Sequence, residues 1–279
     1  MGVIEQSLSY LQPWEFSPPW ALFCLVSAGL YIRGLVRCRH SGQRAGFWRP
    51  FSFLLGIAAI YTVSQTHFDY LAQYMFFVHR GQHLVLHHVA PFLIALSAPL
   101  PLLISGTPDR VKNFSGITMV AQALRPGYRL LQQPVIAALL FVGLIYFWLT
   151  PQVHFDAMLS QYLYQLMNWS MLLDGLLFWW LILASRPPAQ GGLSYGFRIT
   201  LLLAVVPPQM LLGAYLTFSN DIVFDVYAVC GRAWPLAPLT DQRLGGLITW
   251  IPATMMSVLA VLIILGRLLG QRSTTYRYG

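Results

Sequence analysis

Charged side chains are scarce in this sequence. Only 9% of its 279 residues are Asp, Glu, Lys or Arg, whereas 57% are hydrophobic; an average soluble domain has about 25% charged residues. This balance excludes an ordinary soluble domain, and the high hydrophobic content excludes a disordered chain. Together with a mean hydropathy of +0.59, it indicates a multi-pass membrane protein in a lipid bilayer.

Cysteines are few, and catalytic motifs are missing. The three cysteines, Cys24, Cys38 and Cys230, are too far apart for a zinc motif or a disulfide framework. The sequence has no glycine-rich phosphate loop, nucleophile elbow or HExxH motif, so we expect a protein that is not an enzyme. We expect no removed signal peptide, because no basic stretch precedes the first apolar run and no small-residue cleavage site follows.

What the sequence does contain is a series of long apolar runs. A bilayer core about 30 Å thick requires about 20 helical residues. We therefore predict an all-α fold, with one domain over residues 1–279 that forms a bundle of seven transmembrane helices. The helices are predicted near residues 17–36, 47–66, 70–98, 133–150, 158–184, 196–218 and 245–266.

Prolines predict where these helices begin and bend. Those near the starts of the first two runs fit a first helical turn, which needs no backbone donors. Pro99 and its neighbouring prolines are expected to bend or end the long third run. Pro207-Pro208 is expected to break the backbone hydrogen-bond ladder of the sixth helix within the membrane and to free carbonyl groups, with a kink that is structural or opens a cavity.

The loops on the two sides of the predicted bundle differ in charge. Fourteen of the seventeen Lys and Arg side chains lie on one side: Arg33, Arg37, Arg39, Arg44, Arg49, Arg110, Lys112, Arg125, Arg129, Arg186, Arg198, Arg267, Arg272 and Arg277. The positive-inside rule then places the N-terminus outside and the C-terminus in the cytoplasm. Since the net charge of +8 is spread over these loops, it does not indicate nucleic-acid binding.

Four of the seven histidines fall within residues 74–91. His79, His83 and His87 recur every four residues, so a helix places them on one face, with Met75 one turn earlier. Two imidazoles at i and i+4 can hold one metal ion, and polar groups at membrane depth are usually functional. Because imidazole with thioether favours copper, we predict a copper site here. The alternative is that the histidines serve only in packing.

Other side chains within the predicted bundle extend this hypothesis. Met167 and Met171 are further soft candidates, although methionine is also an ordinary packing residue. Asp174 is expected to pair with Arg80 or with a protonated histidine. Haem is disfavoured, because the remaining histidines lie in loops rather than on a facing helix.

Two predicted outer loops contain the same tripeptide, His-Phe-Asp. In both, the carboxylate (Asp69 or Asp156) either stabilises a helix N-terminus or binds a cation together with His67 or His154. Clustered acids raise the local concentration of cations. We therefore predict an acidic outer vestibule formed by these four residues, leading to the histidine stripe.

Three segments resemble the CtaG-type cytochrome c oxidase assembly factors. Residues 75–91 with Ala98-Pro99 resemble the signature HMxQH…APxLLxLGAP, residues 241–252 resemble DQxLGGLIMWIP, and residues 175–180 resemble GLLFWW. The resemblance covers most of the chain. One departure is that the family often has histidines in helix five where this sequence has Tyr164 and Asn168.

The resemblance implies a multi-pass protein of the bacterial inner (plasma) membrane that is needed for maturation of haem–copper oxidases. Its partners would be the catalytic subunit of cytochrome c oxidase, to which it supplies copper, and a periplasmic copper chaperone. Two other functions stay open from the sequence. The protein could be a copper permease, or a scaffold for the nascent oxidase subunit in which the histidines only pack.

Overall fold

A computed structural model describes residues 15–41, 46–184 and 192–275. Over these ranges the chain is helical and has no β-strand, which confirms the predicted all-α class. Of the loop cations used for orientation, Arg44, Arg186 and Arg277 lie outside the described residues. The helices are α1 (Pro18–His40), α2 (Trp48–Gln65), α3 (His67–Tyr74), α4 (Phe76–His83), α5 (Ala90–Ser97), α6 (Leu100–Gly106), α7 (Asp109–Lys112), α8 (Ser115–Leu131), α9 (Pro134–Trp148), α10 (Pro151–Leu159), α11 (Gln161–Trp179), α12 (Tyr195–Phe218), α13 (Val226–Val229) and α14 (Pro238–Thr275).

Four helical stretches are long and apolar enough to cross a bilayer: α1, Gln161–Leu183, α12 and Pro238–Gly270. Two bent pairs raise the number to six if each pair is one span. They are Phe76–Ser97 with α6, bent by 75°, and Met119–Leu131 with α9, bent by 80°. The described residues therefore contain four to six candidate spans, and the seven spans and their orientation stay a prediction. α2 covers the second predicted run but is not among the candidate spans, since polar side chains at both of its ends dilute its apolar ones.

The prolines act partly as predicted. α1 begins at Pro18, as expected for a first turn. The 75° bend occurs at Pro99, directly after Ala98, which adopts the left-handed conformation with φ 47°. α12 runs through Pro207-Pro208 as one helix, so the N–H groups that these prolines lack do not end it. α12 packs extensively along α14, and tertiary packing of this kind supports a helix where local hydrogen bonds are lost.

Two glycines let neighbouring helices approach the segment that carries the histidines. A Cβ atom at Gly175 of α11 would lie 2.4 Å from the carbonyl oxygen of His87. A Cβ atom at Gly245 of α14 would lie 2.4 Å from Cδ1 of Phe76. Small residues allow such close packing of helices in lipid. The segment from α4 to α5 is thereby enclosed between α11 and α14.

Candidate functional site

The helix that carries His79 begins at a break in the chain. Met75 separates α3 from α4 with an extended backbone, φ −138° and ψ 122°, and its side chain is fully buried against Ala72 and Val78. The Asp241 carboxylate, from the first turn of α14, accepts hydrogen bonds from the backbone N–H groups of Phe76 (3.1 Å) and Phe77 (2.8 Å). A helix N-terminus favours negative charge. Asp241 therefore fixes the start of α4 and the position of His79 one turn later.

His79 is a buried imidazole without a hydrogen-bond partner. The side chain is 0% exposed, and within the described part of the chain neither nitrogen makes a hydrogen bond. The Ala72 carbonyl lies near the ring but falls outside hydrogen-bond geometry. Buried polar groups are nearly always paired. A buried imidazole without a hydrogen-bond partner has a ring nitrogen that can bind a metal ion.

Two other imidazoles lie next to His79. The ring centroids of His79 and His83 are 4.3 Å apart, and those of His79 and His154 are 5.2 Å apart. The sequence predicted the pair His79 and His83, whereas His154 was expected at the outer vestibule. α10 brings His154 to the pair. Three fully buried imidazoles from two separate segments thus surround one small region.

His83 is hydrogen-bonded through both nitrogens. Arg80 Nη1 donates to Nδ1 over 3.2 Å, and Nε2 lies 3.1 Å from Oδ1 of Asn168. Because guanidinium can only donate, Nδ1 is the acceptor and Nε2–H donates to Asn168. The Arg80 side chain is itself held by Thr249, whose hydroxyl accepts from Nε over 2.9 Å. For His83 to bind a metal ion, one of its two hydrogen bonds must open.

His154 is held in the same way from the loop side of the bundle. Its Nδ1–H donates to the Trp148 carbonyl over 3.0 Å, so Nε2 accepts from the Tyr227 hydroxyl, also at 3.0 Å. Burial lowers the pKa of His154 to about 3, although the bond to Trp148 opposes the shift. The ring is therefore neutral at physiological pH, the form in which imidazole binds metals.

His87 belongs to a different cluster. The Nε2 atom of His87 lies 3.0 Å from Oδ2 of Asp174, and its Nδ1 atom lies 3.2 Å from Nδ1 of His88. The other ring nitrogen of His88, Nε2, lies 3.3 Å from Oε1 of Gln209. Residues 84–89 form a π-helical turn, which widens the helix and interrupts the i, i+4 repeat. The predicted stripe therefore ends at His83. Of the two partners expected for Asp174, it contacts a histidine.

A very small cavity lies between the two clusters. Its volume is about 10 Å³, enough for one water molecule, and Arg80, His83, His87, His88 and Met171 contribute to its lining. The cavity separates His83 from the His87–Asp174 pair. Of the methionines considered in the sequence, Met171 is the one beside it.

The predicted acidic vestibule is not assembled as expected. Asp69 is buried and accepts hydrogen bonds from Gln73, Gln82 and Tyr164, and burial raises the pKa of its carboxyl while these bonds oppose the shift. Asp156 is exposed beside Gln152, and the ring of half-buried His67 lies 5.1 Å from that of Tyr70.

The two copies of the tripeptide thus bury different members. The first copy buries its aspartate and the second copy buries its histidine. A pocket of about 360 Å³ does open on this side, and Asp69 and Glu15 contribute to its lining. Tyr164 connects the two regions, because its hydroxyl donates to Asp69 and its ring centroid lies 6.0 Å from that of His79.

The arrangement supplies one open imidazole rather than a complete ligand set. Among the described residues, no three His, Cys, Asp or Glu side chains are placed so that they could hold a metal ion. Tyr164 and Asn168 stand where histidines were noted as missing, and both make hydrogen bonds at this site. The sequence left the roles of Asp241 and Gln242 open. Gln242 accepts from the N–H of Val223 and so holds the loop after α12.

Comparison with known proteins finds a matching family and two curated relatives. The model of a family described as cytochrome c oxidase caa3 assembly factor (Caa3_CtaG) matches residues 29–271. Two curated relatives are 28% identical over 267 residues: the uncharacterized proteins Mb0105 of Mycobacterium bovis and MT0111 of Mycobacterium tuberculosis. The match covers 91% of this chain but 39% of each relative, so the chain spans about two fifths of their length. No solved structure matches.

Proposed function

The chain belongs to the cytochrome c oxidase caa3 assembly factor family, and from this premise we propose that it holds copper at His79 and passes it to the catalytic subunit of the oxidase. The protein acts in this proposal as a seven-span protein of the bacterial inner membrane, with its N-terminus outside and without catalysing a covalent reaction. A periplasmic copper chaperone supplies the ion. The oxidase subunit receives it.

The open imidazole of His79 is the observation that carries the copper proposal. A buried nitrogen without a partner costs free energy, and a soft cation removes that cost. His83 and His154 are the neighbouring imidazoles, each of which gains a metal bond by giving up a hydrogen bond. Opening a hydrogen bond to a charged group such as Arg80 costs about 1.5–3 kcal/mol, which weakens binding by roughly 10- to 150-fold. A site of this kind suits transfer better than storage.

The pocket beside Asp69 supports a route for the ion. The carboxylates of Asp69 and Glu15 attract cations to this pocket. Tyr164 contacts both Asp69 and the ring of His79. We infer that the ion enters through this pocket and passes Tyr164. His67 and Asp156, which were predicted as vestibule residues, take no part in this route.

Copper binding is tested with the detergent-purified full-length chain. We expect the wild type to bind Cu(I) in a titration against a competing chelator. In the His79→Gln variant, Cu(I) affinity should fall by more than the roughly 10- to 100-fold that is typical when a residue that only supports a ligand is replaced. His40→Gln, at the end of α1 away from the site, is the matched control. Copper content of the oxidase in the same cells should fall with His79→Gln. Unchanged Cu(I) affinity in this variant rejects His79 as a ligand.

A scaffold function is the second candidate, and one observation favours it. His83 and His154 already satisfy both nitrogens without a metal ion. If the protein is a scaffold, oxidase assembly persists in a His79→Gln, His83→Gln double variant that binds no copper. Loss of the oxidase's copper with retention of its protein subunit in that variant favours delivery.

A further inference from the structure

The largest apolar cavity among those described lies away from the histidines. Its volume is about 630 Å³, and α1, α2, α6, α8 and α11 form its walls. The lining is almost entirely aliphatic and aromatic and includes Phe23, Phe53, Leu103, Tyr128, Leu131 and Leu177. Since α1 and α11 are candidate spans, the cavity lies beside helices that can cross the bilayer.

The cavity opens toward the outside of the bundle, so a molecule from the surrounding bilayer can fill it. The volume is within the range of about 300–1,000 Å³ that holds small-molecule ligands. A helix about 10 Å across occupies roughly 420 Å³ per turn, so a partner helix would fit only one and a half turns. A flexible acyl chain fills such a space without that restriction.

The helix α8 bounds the cavity and has the character of a membrane-surface helix. Val120, Leu124, Tyr128 and Leu131 follow one another at helical spacing and form one apolar face. Tyr128 and Leu131 reach the cavity, whereas Leu124 is 66% exposed. α8 lies at 80° to α9, which follows it as a membrane-crossing helix. An amphipathic helix at this angle lies in the plane of the bilayer surface.

The opposite face of α8 is cationic. Arg125 and Arg129 are one turn apart and exposed, and Gln122 precedes them on the same face. Arg110 of α7 adds charge nearby along the chain, whereas Lys112 lies 3.4 Å from the carboxylate of Asp109. Basic side chains beside an interfacial helix attract anionic headgroups, with about 1 kcal/mol for each residue near the surface.

We propose that this cavity and α8 form a binding site for an anionic phospholipid. One acyl chain fills the apolar cavity between Leu103 and Leu177, and the headgroup lies against Arg125 and Arg129. The apolar cavity and the cationic face of α8 match the two halves of the ligand in polarity. The site is separate from His79, so this proposal does not depend on copper binding.

The test uses the full chain purified in mild detergent and reloaded with phosphatidylglycerol or phosphatidylcholine of the same acyl length. We expect phosphatidylglycerol to be preferred by roughly thirty-fold, from two arginines at about 1 kcal/mol each, as measured by competition in native mass spectrometry. The Arg125→Gln, Arg129→Gln double variant should retain bound lipid but lose most of this preference.

Leu103→Trp fills the cavity and should reduce bound lipid of both kinds. The matched control is Leu139→Trp, because Leu139 is 67% exposed on α9 and lies outside the cavity; it should behave as wild type. The proposal is overturned if Leu103→Trp retains lipid and the arginine variant retains its preference. It is also overturned if Leu103→Trp releases an oxidase subunit while bound lipid is unchanged. Should Leu103→Trp fail to fold, the surface arginine variant decides alone.

Discussion

Asp241 is the residue whose replacement tests most directly how the site is built. The carboxylate is 0% exposed, accepts two backbone N–H groups at the start of α4, and forms an ion pair with Arg232. Asp241→Ala leaves both donors and a largely buried guanidinium without their acceptor. Breaking a buried ion pair by removing one partner costs about 3–5 kcal/mol.

The expected effect on thermal unfolding is large. For a domain of about 150–250 residues, 1 kcal/mol shifts Tm by about 2–4 °C, so Asp241→Ala should lower Tm by roughly 6–20 °C. Asp241→Asn keeps one acceptor oxygen and should lose about half as much. In Asp241→Asn with Arg232→Gln, part of the loss should be recovered, because the guanidinium is no longer unpaired.

The measurement is the melting temperature in detergent, followed by tryptophan fluorescence, with Cu(I) affinity in parallel. Asp156→Asn is the control, since Asp156 is exposed and the same change there should shift stability by less than about 0.5 kcal/mol. Cu(I) affinity should fall in Asp241→Ala although Asp241 is no ligand, because α4 loses the anchor that places His79. If the Asp241→Ala and Asp156→Asn variants have the same Tm, the argument that Asp241 stabilises the start of α4 is refuted.

Three further predictions concern packing, pH and the open imidazole. Gly175→Ala should destabilise the fold by about 1–3 kcal/mol, since the added Cβ atom meets the His87 carbonyl. In the control Gly143→Ala, the added Cβ atom has nothing within 4 Å, so stability should stay the same or increase by up to about 1 kcal/mol. Equal Tm values for the two variants contradict this prediction. Burial lowers the pKa of His154 to about 3, so the unfolded chain takes up a proton before the folded chain does. The free energy of unfolding should therefore fall as pH drops below about 6.5, by up to about 1.4 kcal/mol per pH unit. In metal-free protein, His154→Gln should reduce the slope of Tm against pH by the contribution of one proton, and an unchanged slope rejects a neutral buried ring. His79→Gln should change the free energy of unfolding of the metal-free protein by less than about 1 kcal/mol, because no hydrogen bond is lost. A large drop in the Tm of the metal-free variant means that the ring is hydrogen-bonded in the wild type.

Local patterns in the sequence predicted much of the fold. Apolar runs predicted the helices, Pro18 the start of α1, and Pro99 the bend after α5. These predictions succeeded because each depends on nearby residues. Pro207-Pro208 indicated lost backbone hydrogen bonds in α12, but no local pattern could show that the helix continues through them while it packs along α14.

The candidate site was predicted in part for the same reason. His79 and His83 are one α-helical turn apart, so their proximity follows from helix geometry alone. His87 was expected beside them, but no pattern announced the π-helical turn that separates it. His154 joins the site from a segment 71 positions after His83, a contact that only the packing of α10 creates.

The sequence by itself determined that the chain is a helical membrane protein with a histidine pair on one helix, because composition and periodicity act over a few residues at a time. Tertiary structure alone decided which imidazole is left open. His83 and His154 make hydrogen bonds to Arg80, Asn168, Trp148 and Tyr227, whereas His79 makes none within the described part of the chain. Hydrogen-bond partners in a buried site come from helices distant in sequence, so their presence or absence is fixed only when the bundle closes.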